Sequence, residues 1–215
     1  ILTSVDDTIE HTHAQVAKLQ DLKRATMNEL LTRGIGHTDF EDSPLGLMAD
    51  TIPKNWSIEQ LGDHIEGLSN RAIDTDSVPI LSVTKHQGFV ESLEYFKKQV
   101  FSKDLSNYKV VKKGQFAYST IHLDEGAIAL LEDYDQGLIS PMYTVFEASP
   151  TIDNVFLIYW LKSDFAMAKY QALGQGSVDR RMAISLKTLE EINIPFPPLV
   201  EQEKIADILT SLDDQ

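Results

Sequence analysis

Apolar residues in the first thirty positions recur with the spacing of a coiled-coil helix. Steps of three and four residues alternate from Leu2 to Leu30, and this heptad spacing predicts one long helix. We expect the helix to end near Arg33, because Gly34 and Gly36 follow. Three positions of this seam are polar, so the seam should need a specific partner helix. The seam consists of apolar Leu2, Val5, Ile9, Val16, Leu19 and Leu30 and polar Thr12, Lys23 and Thr26.

The last residues of the chain show the same helical spacing. Pro197 and Pro198 precede Leu199, and proline is favoured at the start of a helix and excluded from its interior. We therefore predict a second helix over residues 198–215. Its seam residues are Ile205, Leu209 and Leu212.

A short sequence occurs at both ends of the chain. Residues 1–7 (ILTSVDD) return as residues 208–214 (ILTSLDD), with six of seven residues identical. Superposing the two copies places Leu209 on Leu2 and Leu212 on Val5, so the two seams have the same phase. We expect both copies to be the same turns of one helix type, at the point where one structural unit would follow another.

The residues between these helices change character twice. Residues 34–51 are rich in Gly, Asp, Ser and Pro, which predicts a linker, and residues 52–197 show the mixed pattern of a domain with both helices and strands. Strands are predicted at residues 79–84, 115–118, 127–131, 142–146 and 193–196. Helices are predicted at residues 154–172, capped by Asp153 or Asn154, and at residues 186–191, capped by Ser185.

Composition is that of an ordinary globular protein, with 42% hydrophobic and 24% charged residues. No apolar run approaches the roughly 20 residues of a membrane helix, and the N-terminus lacks an export pattern, so we expect a cytoplasmic protein without a membrane partner. The chain has no cysteine, which excludes disulfide bonds and thiolate metal sites.

The distribution of charge gives a mixed indication about nucleic acids. A net charge of −14 by itself disfavours phosphate binding, which usually draws on a basic face. However, residues 97–113 carry a net charge of +5 and residues 169–187 a net charge of +3. This arrangement is compatible with a basic edge on an acidic body, and scattered surface charge is the alternative. The acidic residues between the two stretches are Asp124, Glu125, Glu132, Asp133 and Asp135.

No group of residues has the pattern of a catalytic or metal site. Ser119, His122 and Asp124 have the residue types of a hydrolase triad, but triads are assembled in space, and closeness in sequence does not support one. His11 and His13 lie on different faces of the predicted helix, which makes them a poor metal pair. The chain also lacks the Asp/Asn-Pro-Pro-aromatic signature of DNA amino-methyltransferases and a phosphate-binding loop. We therefore predict no catalytic residue, no metal site and no cofactor.

Three segments resemble the DNA-specificity subunit of type I restriction-modification systems. They are residues 52–63 (IPKNWSIEQLGD), 137–146 (GLISPMYTVF) and 192–209 (INIPFPPLVEQEKIADIL). The run Pro-Pro-Leu-Val-Glu-Gln in the last segment is the most specific. The resemblance covers the whole chain and implies an α/β (α+β) target recognition domain flanked by long coiled-coil-forming helices.

The resemblance also implies a function without catalysis. In this family each recognition domain reads one half of an interrupted DNA sequence, and antiparallel spacer helices set the separation and hold DNA methyltransferase (modification) subunits. A complete subunit carries two recognition domains, whereas this chain has one period. We therefore expect a homodimer through the seam residues of the spacer helices, from a natural half-subunit or a fragment. Whether a restriction/translocase subunit joins stays open.

Candidate contacts with double-stranded DNA follow from side-chain chemistry, since the reading surface varies with the target. Arg180 and Arg181, with Gln175 and Ser177 in the same loop, suit base edges in the major groove, and an ion pair with Asp179 is their alternative. Lysines suit phosphates, where they position a protein without selecting sequence. The lysine candidates are Lys97, Lys98, Lys103, Lys109, Lys112 and Lys113, and further candidates at strand-to-loop junctions are Lys85, His86 and Ser119.

Two other functional classes stay open at this point. The chain could be the recognition region of a single-chain restriction-methylation enzyme whose catalytic part lies elsewhere. It could also be a coiled-coil interaction module without DNA binding, which the acidic net charge favours. Salt-dependent binding to DNA would separate this last class from the others.

Overall fold

The computed structural model describes residues 2–46, 49–71, 78–174 and 183–213. The helices are α1 (Leu2–Arg33), α2 (Ser92–Phe96), α3 (Asn154–Leu161), α4 (Asp164–Gly174), α5 (Leu186–Glu190) and α6 (Leu199–Asp213). The strands are β1 (Phe40–Asp42), β2 (Thr51–Pro53), β3 (Ser57–Gln60), β4 (Ile65–Leu68), β5 (Leu81–Thr84), β6 (Gly88–Glu91), β7 (Lys109–Lys112), β8 (Phe116–Ser119), β9 (Ile128–Leu130), β10 (Gln136–Ile139), β11 (Tyr143–Ala148) and β12 (Asn193–Phe196). No described helix is both long and apolar enough to cross a bilayer.

A four-stranded antiparallel sheet lies at the centre of the globular domain, which we define as residues 40–196. Its strand order is β4-β11-β8-β9. In the described part of the chain, two-stranded ribbons accompany this sheet, formed by β1-β2, β3-β12, β5-β6 and β7-β10. The β3-β12 ribbon pairs Ser57 with Phe196 and so joins the entry of the domain to its exit.

Alternation of side chains along the central strands produces two apolar cores. Phe116 and Tyr118 of β8 and Phe146 of β11 belong to the larger core, which also contains residues of α3, α4 and α6. Their neighbours Ala117 and Val145 point to the other face and belong to the smaller core with residues of β5, β6 and β10. Successive side chains of a strand face opposite sides of its sheet, so the central sheet separates the helices from the β5-β6 and β7-β10 ribbons.

Helix ends follow the sequence closely. α1 ends at Arg33, and Gly34 adopts the left-handed conformation with φ of 65°, which confirms the predicted end. Asp153 caps α3, because its carboxylate accepts a hydrogen bond from the backbone N–H of Phe156 at 2.8 Å. Ser185 caps α5, because its hydroxyl accepts from the backbone N–H of Thr188 at 3.1 Å. Both predicted caps are therefore confirmed.

The predicted single helix over residues 154–172 is wrong, because α3 and α4 are separate. Ser163 is fully buried between them. Its hydroxyl donates to the carbonyl of Trp160 at 2.6 Å and accepts from the backbone N–H of Ala166 at 3.3 Å. One serine thus satisfies the end of the first helix and the start of the second, while the apolar pattern runs on through the break.

The predicted linker is also partly wrong, since it contains β1. This strand pairs with β2, and Phe40 lies opposite Pro53. The guanidinium of Arg33 lies 4.3 Å from the centre of the Phe40 ring, which ties the strand to the end of α1. The strands β3, β4, β6, β7 and β10 are further elements that the sequence did not predict. All of them except β6, which forms a hairpin with β5, pair with strands that are distant in sequence.

α1 has two parts that differ in their surroundings. Residues 5–25 are exposed on every side, whereas Leu31 is fully buried in the larger core. α6 packs beside this second part and runs in the opposite direction. Its start is held near Ile35 by Glu201, and its end is held at Lys23 by an ion pair with Asp213.

Candidate functional site

The first turn of α6 connects the helices to the globular domain. The carboxylate of Glu201 accepts hydrogen bonds from the backbone N–H of Ile35 at 3.1 Å and from the indole N–H of Trp56 at 3.0 Å. It also lies 2.7 Å from Nε2 of His37. A side chain at Gly34 would collide with this carboxylate and with the Trp56 ring. One acid therefore holds the end of α1, the entry of the domain and α6 together.

Gln202 makes the matching contacts on the domain side. Its side chain is fully buried. The amide oxygen accepts from the backbone N–H of Asp153 at 2.9 Å, and the amide nitrogen donates to the carbonyl of Pro197 at 2.9 Å and approaches that of Thr151 at 3.5 Å. Neighbouring residues of α6 thus bind two different parts of the chain, which gives α6 a defined orientation relative to the domain.

The seam residues of α6 are occupied inside the chain. Ile205 and Leu209 are buried in the larger core, and Leu212 packs against it. Leu30 of α1 packs against the same core. Ile205 and Leu209 are therefore buried against this chain and have almost no surface left for a partner.

The seam of α1 has the opposite character before Lys23. Four apolar side chains of this seam are 46–65% exposed, and Leu22 beside them is 63% exposed. The four are Val5, Ile9, Val16 and Leu19. The side chain of Leu2 lies outside the described residues. An exposed apolar stripe of this length on a helix marks a surface where another chain can pack.

Several basic candidates lie around the β5-β6 hairpin. Lys85 and His86 are exposed in its turn. Lys97 follows α2 with φ of 54° and lines an open pocket of about 460 Å³ together with Gln87 of the same turn. Among the described residues, no hydrogen bond or ion pair holds the ammonium groups of Lys85 and Lys97. The exposed lysines of the loop after α2 are Lys98 and Lys103.

Lys109 has a structural contact that the sequence did not indicate. Its ammonium group donates to the carbonyl of Tyr143 at 2.6 Å, between β7 and β11. Burial lowers the pKa of Lys109 below the usual range of lysine. This lysine therefore holds two strands together instead of standing free on the surface.

Lys112 and Lys113 lie apart from the hairpin group. The backbone N–H of Lys113 donates to the carbonyl of Asp135 at 2.9 Å, next to the β7-β10 pair. The same acidic loop reaches the hairpin, because Glu132 and Asp133 line a pocket with Gln87. Acidic residues of the segment 132–135 therefore lie next to both Lys113 and the hairpin.

Ser119 lies at the end of β8, in the wall of a pocket of about 280 Å³ that also contains Tyr108 and Met142. The next residue, Thr120, accepts a hydrogen bond through its carbonyl from the backbone N–H of Ile184 at 2.9 Å. The chain that follows residue 182 therefore lies beside Ser119. The candidates that fall outside the described residues are Gln175, Ser177, Arg180 and Arg181.

Two buried tyrosines, Tyr118 of β8 and Tyr170 of α4, donate hydrogen bonds to backbone carbonyls. The hydroxyl of Tyr118 donates to the carbonyl of Ile184 at 3.1 Å, and burial raises the pKa of Tyr118 to about 12. The hydroxyl of Tyr170 donates to the carbonyl of Leu161 at 3.2 Å, and burial likewise raises the pKa of Tyr170. Both phenols stay protonated at neutral pH and act as fixed donors.

Trp56, Glu201 and Gln202 were absent from the residues that the sequence singled out. All three belong to the segments that carry the family resemblance. A signal was available for Gln202, which lies three residues before Ile205 and seven before Leu209, on the apolar face of its helix. A glutamine at such a position is buried and needs hydrogen-bond partners.

Comparisons of the sequence agree with this architecture. The model of the type I restriction modification DNA specificity domain matches residues 53–215. The putative type I restriction enzyme MjaX specificity subunit of Methanocaldococcus jannaschii is 28% identical over 224 residues, which cover 100% of this chain and 49% of that protein. The type I restriction enzyme HindI specificity subunit of Haemophilus influenzae is 26% identical over 166 residues, which cover 75% and 36%. The chain spans half the length or less of these curated relatives.

Solved structures show the same fold. The HsdS subunit from Thermoanaerobacter tengcongensis superposes with a TM-score of 0.57 at 16% identity, over 100% of this chain and 48% of that chain. The type I restriction-modification S subunit from M. genitalium superposes with a TM-score of 0.56 at 15% identity, over 99% and 52%. At this identity the likeness concerns the fold alone. With the family match over residues 53–215, the chain belongs to the type I restriction-modification DNA specificity subunits, and its described residues hold one target recognition domain.

Proposed function

We propose that this chain binds double-stranded DNA through its recognition domain and reads one half of a two-part target. It performs no catalysis itself, and its helices hold DNA methyltransferase subunits. The observation that carries this proposal is the family match, because residues 53–215 include the strands β3 to β12 and α6. The named curated relatives are described as specificity subunits.

The surface proposed for DNA is centred on the β5-β6 hairpin and the end of β8. Lys85 and Lys97 supply positive charge there without partners inside the described chain, and the exposed His86 adds a hydrogen-bonding ring. The hairpin turn lies against Gly126, where an added Cβ would meet the Lys85 side chain at 3.8 Å. Ala127 follows Gly126, and its carbonyl accepts a hydrogen bond from the backbone N–H of Ser119. The hairpin and the end of β8 are therefore neighbours. We assign phosphate contacts to this group.

Base reading is proposed for Arg180 and Arg181, which precede Ile184 in the sequence. Arg180 and Arg181 have the donors for bidentate contacts with guanine, and Gln175 and Ser177 add polar groups. Support comes from the hydrogen bond between Thr120 and Ile184, which places the following chain beside Ser119. Lys98, Lys103, Lys112 and Lys113 are proposed as outer phosphate contacts, and Lys109 is left out because Tyr143 already binds its ammonium group.

The partners are proposed from the helices and the charge. The exposed seam of α1 offers a surface for a second copy of the chain and for methyltransferase subunits. A complete two-part reader needs two recognition domains, so a homodimer through the helices would supply the second one. The net charge of −14 limits DNA affinity of the chain alone, and a basic methyltransferase partner would compensate for it.

A gel-shift titration tests this proposal directly. A pool of random duplexes is mixed with the chain, with and without the methyltransferase subunit of the same system, between about 50 and 200 mM salt. We expect retention of a subset of duplexes that depends on the methyltransferase and weakens steeply with salt. Absence of binding in every condition would overturn DNA recognition and leave a helical interaction module.

Single substitutions test the assigned roles. Lys97→Ala should weaken binding to all duplexes alike and reduce the salt dependence by about one phosphate contact. Arg181→Ala should weaken specific binding by about 1–3 kcal/mol and relax discrimination. Lys54→Ala is the matched control, because Asp39 already binds this exposed ammonium group, and it should leave the salt dependence unchanged. Equal loss on specific and random DNA for Arg181→Ala contradicts its role in base reading.

A further inference from the structure

Exposed apolar side chains of the globular domain are concentrated around one pocket. Met142, just before β11, is 64% exposed, and Phe96 of α2 and Val100 of the following loop are also exposed. All three line the pocket of about 280 Å³ that contains Ser119. Apolar side chains that are left exposed in one group mark a binding surface. The other exposed large apolar residues described in this domain are Leu93 and Tyr95 of α2 and Leu173 of α4.

Hydrogen bonds hold the walls of this pocket in place. The hydroxyl groups of Ser82 and Ser92 lie 2.8 Å apart, and the backbone N–H of Ser92 donates to the carbonyl of Ile80 at 2.9 Å. These contacts join α2 to the strand β5. The hydroxyl of Tyr108 accepts from the backbone N–H of Ser102 at 3.1 Å, which anchors the loop after α2. The pocket is therefore formed before a ligand enters, and binding there costs little ordering of the chain.

The lining of the pocket restricts the chemistry of its ligand. Among the described residues that line it, none carries a charge or a side-chain amide, and the polar side-chain groups are hydroxyls. The hydroxyl of Ser119 has no hydrogen-bond partner among the described residues, and this residue pairs with Tyr143 across β8 and β11. Met142 precedes Tyr143, so an apolar side chain and an available hydroxyl lie near each other.

Positive charge borders the pocket on one side. Residues 97–103 include Val100 and Phe101 of its wall and carry three lysines and no acid, a net charge of +3. None of the three ammonium groups forms an ion pair within the described part of the chain. An apolar pocket beside positive charge suits duplex DNA, which combines phosphates with the methyl groups of thymine in its major groove. The three lysines are Lys97, Lys98 and Lys103.

We propose that this pocket recognises thymine in the major groove of the target. The side chains of Met142 and Phe96 contact the 5-methyl group, and the hydroxyl of Ser119 donates a hydrogen bond to O4 of the same base. Thymine is the base that presents a methyl group beside a carbonyl acceptor in this groove. The inference rests on the proposed DNA binding, to which it adds one base and the residues that select it.

Replacement of thymine by deoxyuridine tests the methyl contact. The duplex selected from the random pool is used, with the methyltransferase subunit present, and each thymine of both strands is replaced in turn. Deoxyuridine keeps O4 and the base pairing but lacks the methyl group. We expect binding to weaken by about fourfold at one thymine of the half-site, the effect of one buried methyl group. A selected target without thymine, or one in which no replacement weakens binding, would overturn the proposal and leave DNA recognition standing.

Substitutions in the pocket separate the methyl contact from the hydroxyl contact. Met142→Ala should weaken binding to the thymine duplex and bring the two duplexes within about twofold of each other. Ser119→Ala should weaken binding to both duplexes by the same factor, about two- to tenfold, because both keep O4. Leu93→Ala removes an exposed apolar side chain of α2 that does not line the pocket, so this matched control should change neither affinity.

The fourfold difference between the duplexes identifies the residues that contact the methyl group. If it persists in both Met142→Ala and Phe96→Ala, the methyl group is bound elsewhere and the proposal is wrong. Circular dichroism of each variant checks that the fold is retained, which we expect for a side chain as exposed as that of Met142.

The outcomes also separate a DNA base from a protein side chain as the occupant of the pocket. If Met142→Ala weakens the complex with the methyltransferase subunit in the absence of DNA, a side chain of that subunit fills the pocket, which overturns thymine recognition. A chain that binds no duplex in any condition removes the recognition function itself, and the thymine pocket with it.

Discussion

Two copies of nearly the same seven residues lie in opposite surroundings in this molecule. At the end of α6, Leu209 is 2% exposed and Leu212 packs against the larger core. At the start of α1, Val5, the counterpart of Leu212, is 51% exposed. The difference shows that this sequence encodes a helix with a packing face, while the neighbouring chain decides whether that face is covered.

The reason lies in what each helix has beside it. α6 is anchored at its first turn by Glu201 and Gln202 and then lies against α1 and α3. Residues 5–22 of α1 are exposed on every side, and helices without tertiary contacts are marginally stable in water. The exposed part of α1 thus gains most from a partner, and the packed part gains nothing further.

Substituting matched leucines should produce the largest contrast between the two regions. Leu209→Ala removes a buried side chain from the larger core and should lower the free energy of unfolding by about 2–5 kcal/mol. Leu19→Ala changes an exposed side chain and should alter it by less than about 0.5 kcal/mol in the monomer. Urea unfolding measures the free energies of both variants, at protein concentrations where light scattering finds a monomer. Equal effects would contradict the contrast.

Alkaline pH should act on the globular domain through its buried tyrosines, which α1 lacks. Burial raises the pKa of Tyr118 to about 12, above about 10 in the unfolded chain. The folded state retains this proton longer, so the stabilisation is complete below pH 10 and is lost as the pH rises towards 12. The loss amounts to about 2–3 kcal/mol.

Urea unfolding between pH 9 and about pH 11.5 checks the role of Tyr118. Tyr118→Phe has no phenol to titrate there, so its free energy of unfolding should fall less steeply with pH than that of the unchanged protein. Tyr170, whose pKa burial also raises, keeps part of the decline in both proteins. Parallel pH profiles for the two proteins would show that Tyr118 ionises normally in the fold.

A buried and an exposed glutamine should show a smaller difference in the free energy of unfolding than the two leucines. Gln202→Ala leaves the backbone N–H of Asp153 and the carbonyl of Pro197 without their buried partner, so we expect a loss of about 1–3 kcal/mol in the free energy of unfolding. Gln20→Ala lies on the exposed part of α1 and should change it by no more than about 0.5 kcal/mol. Thermal unfolding followed by circular dichroism compares the two. A neutral Gln202→Ala would mean that water replaces the side chain.

Patterns with a short period were readable from the sequence. The heptad spacing and Gly34 predicted α1 and its end, and the Pro-Pro pair predicted the start of α6. The caps at Asp153 and Ser185 were also predicted, because capping needs one side chain and a backbone group three residues away. The same locality explains the failure at residues 154–172, where Ser163 interrupts the helix without interrupting the apolar pattern.

The candidate site was predicted less well, because it depends on contacts between distant residues. The lysines of residues 97–113 are close together in sequence. In the fold, however, the ammonium group of Lys109 binds the carbonyl of Tyr143, and the acidic segment 132–135 lies next to both Lys97 and Lys113. Trp56 and Glu201, 145 residues apart, meet only in the folded chain. Side-chain type shows what a residue can bind, and only the fold shows what it meets.

The sequence by itself determined that this chain has helices with matching seams around a domain of mixed structure, and the family to which it belongs. Periodicity, caps and motifs carry that information because each acts within a few residues of chain. Only the tertiary structure decided that α6 folds back on α1, that Glu201 and Gln202 hold the junction, and which copy of the repeat is covered. Burial depends on neighbours that the chain brings together from far apart, and identical segments can therefore end in different surroundings.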